Sequence, residues 1–324
     1  MTPSVLCSRC NATVAEGQRY CGNCGAEARS FPSEAALEAG VLQELVNALR
    51  RATLGEYEIR EELGRGGMAY VFLAHEISLG RKVALKVLAP HLQLVPGMPT
   101  RFLREAQTAA GLEHPNIIPI YARRETPDVV FFTMRYVAGI TLSALVRQVG
   151  PLPIPLVRSL LSDIGGALAF AHHHGVLHRD VKPGNVMVGR DGSVFVTDFG
   201  IAKQTAGAGL TVTGQLLGTP GYMSPEQCRG GDVSHASDQY SLGAMAFELL
   251  CGRPPFVGNN AIEIMAQQMT QPVPDLLSLR PDCPPELAHV VLRMLAKEPT
   301  ARFPSLEEAM WTARAVPLSP GDPV

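Results

Sequence analysis

The sequence predicts an α+β fold of two lobes preceded by a small metal-binding ribbon, and three observations carry that reading. The stretch from Tyr57 to Val87 consists of β-branched and aromatic segments bounded by Gly or charged turns. After Gly150 the pattern becomes mostly helical. At 324 residues the chain is long enough for two lobes around a cleft, or one large domain with an appendage. Strands gathered first and helices after them indicate α+β rather than an alternating βα chain.

Residues 1–28 are rich in Cys and Gly and lack the apolar content for a core of their own. Cys7-Ser8-Arg9-Cys10 and Cys21-Gly22-Asn23-Cys24 form a CxxC pair of knuckles separated by ten residues. Four thiolates at that spacing make a closed tetrahedral site suited to structural Zn²⁺, with a redox pair as the alternative and no open position for metal catalysis. Residues 29–56 read as a helical linker. Leu37, Val41, Leu42, Leu45, Val46 and Leu49 recur at three-to-four-residue spacing, and Ser33 with Glu34 and Glu38 marks the helix start. A continuous domain follows over residues 57–313. Strands are expected at Tyr57–Leu63, Tyr70–Ala74 and Val83–Val87, and a helix at 100–112. Further helices are expected at Pro155–His172, Ser237–Leu250, Ala261–Met269 and Glu286–Lys297. The His172-His173-His174 run is read as a helix end rather than a metal site, because adjacent helical residues do not share a face. Residues 314–324 form a Pro-rich tail expected to be disordered.

The bulk numbers exclude more than they identify. A formal net charge of −2 gives no support for a general nucleic-acid or anionic-membrane binder. No run of 18 apolar residues exists, and Met1 to Arg9 lacks the layout of a secretory signal, so a cytoplasmic protein is expected. Seven cysteines without a signal argue against a secreted disulfide scaffold; Cys228, Cys251 and Cys283 read as small buried hydrophobes.

Chemistry is concentrated in His178-Arg179-Asp180-Val181-Lys182-Pro183-Gly184-Asn185, followed thirteen positions later by Asp198-Phe199-Gly200. Two carboxylates, a carboxamide and an ammonium are the set needed to orient a hydroxyl, hold a hard cation and neutralise a phosphoryl group. Gly64-Arg65-Gly66-Gly67-Met68-Ala69-Tyr70-Val71 is a glycine-rich loop. The residues after it read as a strand, against a dinucleotide-binding turn, and Gly-Lys-Ser/Thr is absent, against a P-loop. What remains is a hairpin lid whose backbone N–H groups approach phosphates. Val83-Ala84-Leu85-Lys86 places one lysine on an apolar strand, either a snorkelling surface lysine or one that grips phosphate.

On these motifs the chain resembles the eukaryotic-like bacterial Ser/Thr protein kinases over roughly residues 57–313, which implies a two-lobed protein kinase fold with a small β-rich N-lobe and a larger helical C-lobe. The resemblance implies ATP with Mg²⁺ or Mn²⁺ as cofactors, beside structural Zn²⁺. It makes Asp180 the catalytic base, Lys182 the neutraliser of the transferring phosphoryl, Lys86 the grip on the α- and β-phosphates oriented by Glu105, and Asn185 and Asp198 the metal holders. Leu63, Gly64, Gly66, Val71, Ala84, Met134, Tyr136, Val137 and Met187 would bind the nucleotide, with Met134 as gatekeeper and Arg135, Tyr136 and Val137 as hinge. Ser224-Pro225-Glu226 stands for the family's Ala-Pro-Glu, with Arg302 placed to pair with Glu226. Asp238 resembles the aspartate that steadies the catalytic loop, while its position also suits a helix cap. Gly218-Thr219-Pro220 resembles the substrate-side loop of Ser/Thr kinases, where Thr219 would bridge Asp180 and Lys182. Two departures stand out: Ala69 replaces the third loop glycine, and Arg135 replaces a usually acidic hinge residue.

By the same resemblance, Thr211 and Thr213 sit where the family is autophosphorylated, and Arg179 is placed to pair with a phosphate of charge near −2. The implied partners are proteins bearing Ser or Thr, and a second copy of this chain for autophosphorylation, with neither membrane nor nucleic acid. Many relatives carry a membrane span and an external sensor after the kinase. This chain reaches Val324 without either, so an intracellular signal is expected, read through the ribbon. A silent scaffold with the same fold is disfavoured by the full catalytic set.

Overall fold

The computed structural model describes residues 4–7, 9–15, 20–26, 34–199 and 219–316. The expectations for Ser33, Thr211, Thr213 and most of the tail fall outside them. The chain divides into two compact units, Met1–Leu54 and Gly55–Val324.

In the first unit, β1 (Ser4–Leu6) pairs antiparallel with β2 (Thr13–Ala15). Helix α1 (Glu34–Ala52) matches the amphipathic stretch and ends on Arg50 and Arg51, cations that favour the negative end of a helix dipole.

The second unit begins with β3 (Tyr57–Arg65), β4 (Ala69–Glu76) and β5 (Arg81–Leu88), then the short α2 (Pro90–Gln93) and α3 (Met98–Ala110). Two strands that sequence periodicity did not disclose follow, β6 (Ile120–Glu125) and β7 (Val130–Arg135). The first is an edge strand exposed along most of its length, and the second is apolar but for Thr133 and buried at all but its last residue, so neither alternates. Together the strands form a five-stranded antiparallel sheet in the order β3-β4-β5-β7-β6. α3 covers one face of this sheet through Phe102, Leu103 and Ala106.

Next come β8 (Gly139–Thr141), α4 (Leu142–Val149), α5 (Ile154–His173), β9 (Val186–Gly189) and β10 (Val194–Val196), with β10-β9-β8 as a second, three-stranded sheet. The C-terminal helices are α6 (Pro225–Arg229), α7 (His235–Cys251), α8 (Ala261–Thr270), α9 (Leu276–Leu279), α10 (Pro285–Met294) and α11 (Leu306–Ala315). The helix expected at Glu286–Lys297 stops three residues early. Pro299 forces the chain out of helical geometry just ahead of it, which frees Lys297 from the helix.

α7 buries fourteen of its seventeen residues and is the axis of the C-lobe. α5 is long and apolar enough, by length and composition, to cross a membrane, yet ten of its residues are buried in the C-lobe core. It packs there against α7 and α11. Gly165 makes the α11 contact feasible, because a Cβ there would stand 2.3 Å from Met310 Sδ. Of the three scattered cysteines, Cys283 is buried and Cys228 and Cys251 are half-buried.

Candidate active site

Lys86 sits on the central strand β5, opposite Val71 on β4 and Phe132 on β7. Its apolar neighbours Leu85 and Val87 are fully buried, while its own side chain turns into the cleft. There Lys86 Nζ lies 2.7 Å from Asp198 Oδ1 and 3.6 Å from Glu105 Oε1. Burial alone would lower the lysine's pKa, but the two carboxylates outweigh it and hold the group charged. Glu105, on the buried face of α3, fares differently. Burial and the nearby Asp198 push its pKa up, to about 7, against the pull of Lys86. One ammonium thus serves two carboxylates, with Asp198 the closer.

The loop 178–185 is held by Asp238 near the start of α7. Its Oδ1 accepts from Arg179 N at 2.7 Å, and its Oδ2 accepts from His178 N and His172 Nε2, both at 2.8 Å. Burial would raise the Asp238 pKa, but these donors hold it below the usual carboxylate range. Asp238 is not the helix cap; Ser234 caps α7, with Ser237 completing the capping box. This clamp keeps Arg179 at φ 64, a conformation uncommon for a non-glycine residue. Gln227 Nε2 adds a bond to the Arg179 carbonyl at 3.1 Å.

His178 is fully buried and packs against Phe199 with ring centroids 4.7 Å apart and the rings tilted by 44°. Its Nδ1 accepts from Asp180 N at 3.3 Å, so its Nε2 carries the proton and donates to the Thr197 carbonyl at 2.9 Å. Burial lowers its pKa, consistent with that neutral tautomer. His172 was not singled out from the sequence for this role. Its neighbours in the triple-histidine run diverge: His173 meets Glu307, and His174 packs at a tilt against Phe170.

At the reacting end, Lys182 Nζ lies 2.9 Å from Asp180 Oδ2. Asn185 Nδ2 donates to the Asp180 carbonyl at 2.8 Å and to Asp180 Oδ2 at 3.2 Å. With Nδ2 committed, the carboxamide oxygen of Asn185 is the atom left for a cation. Asp198 is the other oxygen donor and adopts φ 61.

Lys86, Glu105, Asp180, Lys182, Asn185 and Asp198 open onto one cavity of about 700 Å³, a volume normal for a small-molecule site. Its wall includes Leu63, Gly64, Gly66, Val71, Ala84, Lys86, Glu105, Met134, Arg135, Tyr136, Val137, Asp180, Lys182, Asn185, Met187 and Asp198. The structure therefore brings together every sequence-selected residue for nucleotide, magnesium and phosphoryl chemistry. It adds Ile118, Thr141, Ala144 and Thr197, among others, which sequence reasoning missed. Of these only Thr197, one residue before Asp198, carried a positional signal. Thr219 is exposed, and its hydroxyl makes no hydrogen bond to Asp180 or Lys182 among the described residues. A Cβ on Gly64, Gly66 or Gly67 would touch no protein atom, and none of the three has positive φ. Neither packing nor backbone strain demands glycine there, which leaves close approach of a ligand as the physical reason.

The model of the protein kinase domain family matches residues 57–312. The chain belongs to the protein kinase family. It is 43% identical over 259 residues to the serine/threonine-protein kinase PknB of Mycolicibacterium smegmatis, covering 78% of this chain and 41% of that protein. Against the serine/threonine-protein kinase PrkC of Bacillus subtilis it is 39% identical over 254 residues, covering 78% and 39%. Among solved structures, the PknI kinase domain of Mycobacterium tuberculosis superposes with a TM-score of 0.64 at 33% identity, covering 80% of this chain and 96% of that one. The chain spans about two fifths of the length of the curated relatives it matches.

Within the kinase domain, Arg302 grips Glu226 with its two terminal guanidinium nitrogens at 2.8 Å, and Ser237 Oγ donates to the same carboxylate at 2.7 Å. Burial opposes ionisation of Glu226, but these donors hold its pKa below the usual range. The two departures have structural accounts. Ala69 is buried opposite Leu88, so its methyl group joins the N-lobe core. Arg135 lays its guanidinium 4.7 Å from the Phe195 ring centre, a cation–π contact between the hinge and β10.

In the ribbon unit, Cys7 Sγ lies 3.5 Å from Cys24 Sγ and Cys10 Sγ 3.6 Å from Cys21 Sγ, and all four sulfurs fall within 4.8 Å of one another. Those separations are far beyond a disulfide and close to the edge of about 3.8 Å expected for a ZnS₄ tetrahedron. Each knuckle closes the same way: Cys7 N bonds Ala12 O and Cys21 N bonds Ala26 O. The turns pass through positive φ at Asn11 and Gly25. Asn23 Nδ2 donates to Cys10 Sγ at 3.6 Å, the kind of outer contact that orients a metal thiolate.

Proposed function

We propose that this chain is an ATP-dependent Ser/Thr protein kinase with Mg²⁺ or Mn²⁺ as metal, activated by phosphorylation of its own activation loop. The observation that carries it is the meeting of Lys86, Glu105, Asp180, Lys182, Asn185 and Asp198 on one cavity between two lobes. Leu63, Gly64, Gly66, Val71, Ala84, Met134, Tyr136, Val137 and Met187 hold the nucleotide, with apolar side chains against the base and hinge backbone atoms along its edge. Asn185 and Asp198 hold the metal, which when bound neutralises charge on the phosphates. Lys86 grips the α- and β-phosphates, and Glu105 keeps it aimed. Asp180 accepts the hydrogen bond of the acceptor hydroxyl and orients it, while Lys182 neutralises charge on the transferring group. Transfer of this kind needs positioning and electrostatics more than covalent chemistry.

Thr211 and Thr213 are the proposed phosphorylation sites, reached by a second copy of the chain. Supporting this, Arg179 Nε is buried without a hydrogen-bond partner among the described residues, a donor fit for phosphate. The four cysteines bind structural Zn²⁺. The proposed organisation is a zinc ribbon at 1–28, a helical linker at 29–56 and the kinase domain at 57–313, with α11 running on to Ala315 where the tail was expected from residue 314, in the cytoplasm, where seven cysteines without a disulfide suit a reducing compartment. Phosphate transfer from labelled ATP to a Ser/Thr acceptor tests the activity. Peptide mass spectrometry after incubation with Mg-ATP tests the two threonines.

A further inference from the structure

Behind the loop Pro220–Tyr222, a buried polar chain reaches across the C-lobe. Gln268 on α8 is fully buried, and both ends of its carboxamide are used. Nε2 donates to the Pro220 carbonyl at 3.1 Å, and Oε1 accepts from the Tyr240 hydroxyl at 2.6 Å. The backbone carbonyl of Gln268 accepts from Lys297 Nζ at 2.8 Å, and the same ammonium reaches the Tyr240 hydroxyl oxygen at 3.3 Å. Lys297 stands 4.2 Å from the centre of the Phe256 ring.

This arrangement is unusual for a lysine. It is half-buried, has no carboxylate partner among the described residues, and spends its donors on neutral oxygens. Burial, the leading cause, lowers its pKa to about 8, with Arg302 and Arg229 adding repulsion and Cys228 opposing them. A cation held without charge compensation is not there to form an ion pair. What it does is fix Gln268 and Tyr240, and through Gln268 it fixes Pro220. The other end of the loop is tied to α7, where Ser241 Oγ donates to the Tyr222 carbonyl at 2.7 Å and the Tyr222 hydroxyl bonds Glu248. The loop therefore has two separate anchors, neither of which touches the nucleotide cavity.

We propose that Lys297 and Gln268 are positioning residues for the protein acceptor: by bracing Pro220 they hold the loop that seats the acceptor beside Asp180, and so set acceptor affinity without altering nucleotide affinity. This rests on the kinase reading above. The test uses the full chain with phosphate-free casein as acceptor, comparing wild type with Lys297→Met, Gln268→Leu and the conservative Lys297→Arg. Lys297→Met and Gln268→Leu should raise the acceptor KM by about five- to tenfold, the scale of one lost hydrogen bond, with kcat and the KM for ATP within about twofold. Lys297→Arg, which keeps the donors, should recover most of the loss. Hydrogen exchange of amides 221–223 should quicken in Lys297→Met, giving a reading independent of activity. An unchanged acceptor KM with unchanged exchange would overturn the brace, as would equal losses for acceptor and ATP. Should Gln268→Leu fail to fold, Lys297→Met at its half-exposed site still decides. If wild type transfers no phosphate while exchange still responds, the kinase reading fails and the mechanical brace stands; transfer by wild type with indifferent variants sinks the brace alone.

Discussion

Two regions of the kinase domain treat their carboxylates in opposite ways. In the C-lobe frame, Asp238 and Glu226 are buried but well supplied with donors, and both are held ionised below the usual carboxylate range. At the cavity, Glu105 on α3 and Asp198 just after β10 share Lys86, and Glu105 is pushed up to about 7. A satisfied buried charge behaves as scaffold. An undersupplied one waits for a cation or a phosphate group, and such sites are where chemistry is expected. The lesson is that charge balance, more than burial, separates the frame from the working parts.

The strongest way to break this contrast is to strip a donor from the satisfied side. Arg302→Ala leaves Glu226 buried without its main partner, and urea unfolding should register a loss of about 3–5 kcal/mol. Nucleotide binding by the fraction that remains folded should not change, and weakened binding would place Arg302 in the working set. On the undersupplied side the sign reverses. The folded-state pKa of Glu105 is raised above its ordinary 4.5, so stability falls as pH rises from about 4.5 to 7, and the cost is complete above 7. Glu105→Gln removes that cost. Thermal unfolding at pH 8 should therefore show unchanged or raised stability, by on the order of 1 kcal/mol, with the slope between pH 5 and 7 flattened. Phosphate transfer should nonetheless drop at least about tenfold, and wild-type transfer should decline as pH falls below about 7, where Glu105 loses its charge.

Smaller effects sharpen the picture. Metal analysis should find one zinc per chain, lost in Cys10→Ser, with casein phosphorylation within about twofold of wild type, because the proposed zinc is structural and belongs to the first unit. Arg135→Leu removes an exposed cation–π contact worth about 0.5–1 kcal/mol, so ATP affinity should weaken only a few-fold at most.

Much of the working side was legible in the sequence because it is local. Lys86 stands out on an apolar strand, Asp180 to Asn185 lie within one loop, and the knuckles of Cys7 and Cys21 have fixed spacing. α7 was legible from its length and apolar content. The supporting side was harder to see. Arg302 meets Glu226 across 76 residues and His172 meets Asp238 across 66, distances at which no periodicity carries information. The pairing of Arg302 came only from family resemblance, and the part played by His172 was not seen at all. β6 and β7 escaped for another reason: one is exposed along most of its length and the other buried on both faces, so neither alternates. Asp238 was half read, because a position in the first turn of a helix suits a cap, and only the structure shows Ser234 in that place.

The central claim is that this cleft transfers phosphate with Asp180 orienting the acceptor hydroxyl. Its most direct test is transfer from γ-labelled ATP to casein by wild type beside Asp180→Asn, with nucleotide binding measured on both. The account predicts transfer by wild type, a loss of at least about a hundredfold in the variant, and similar ATP affinity, because Asp180 acts on the acceptor. Equal transfer by the two proteins would contradict it.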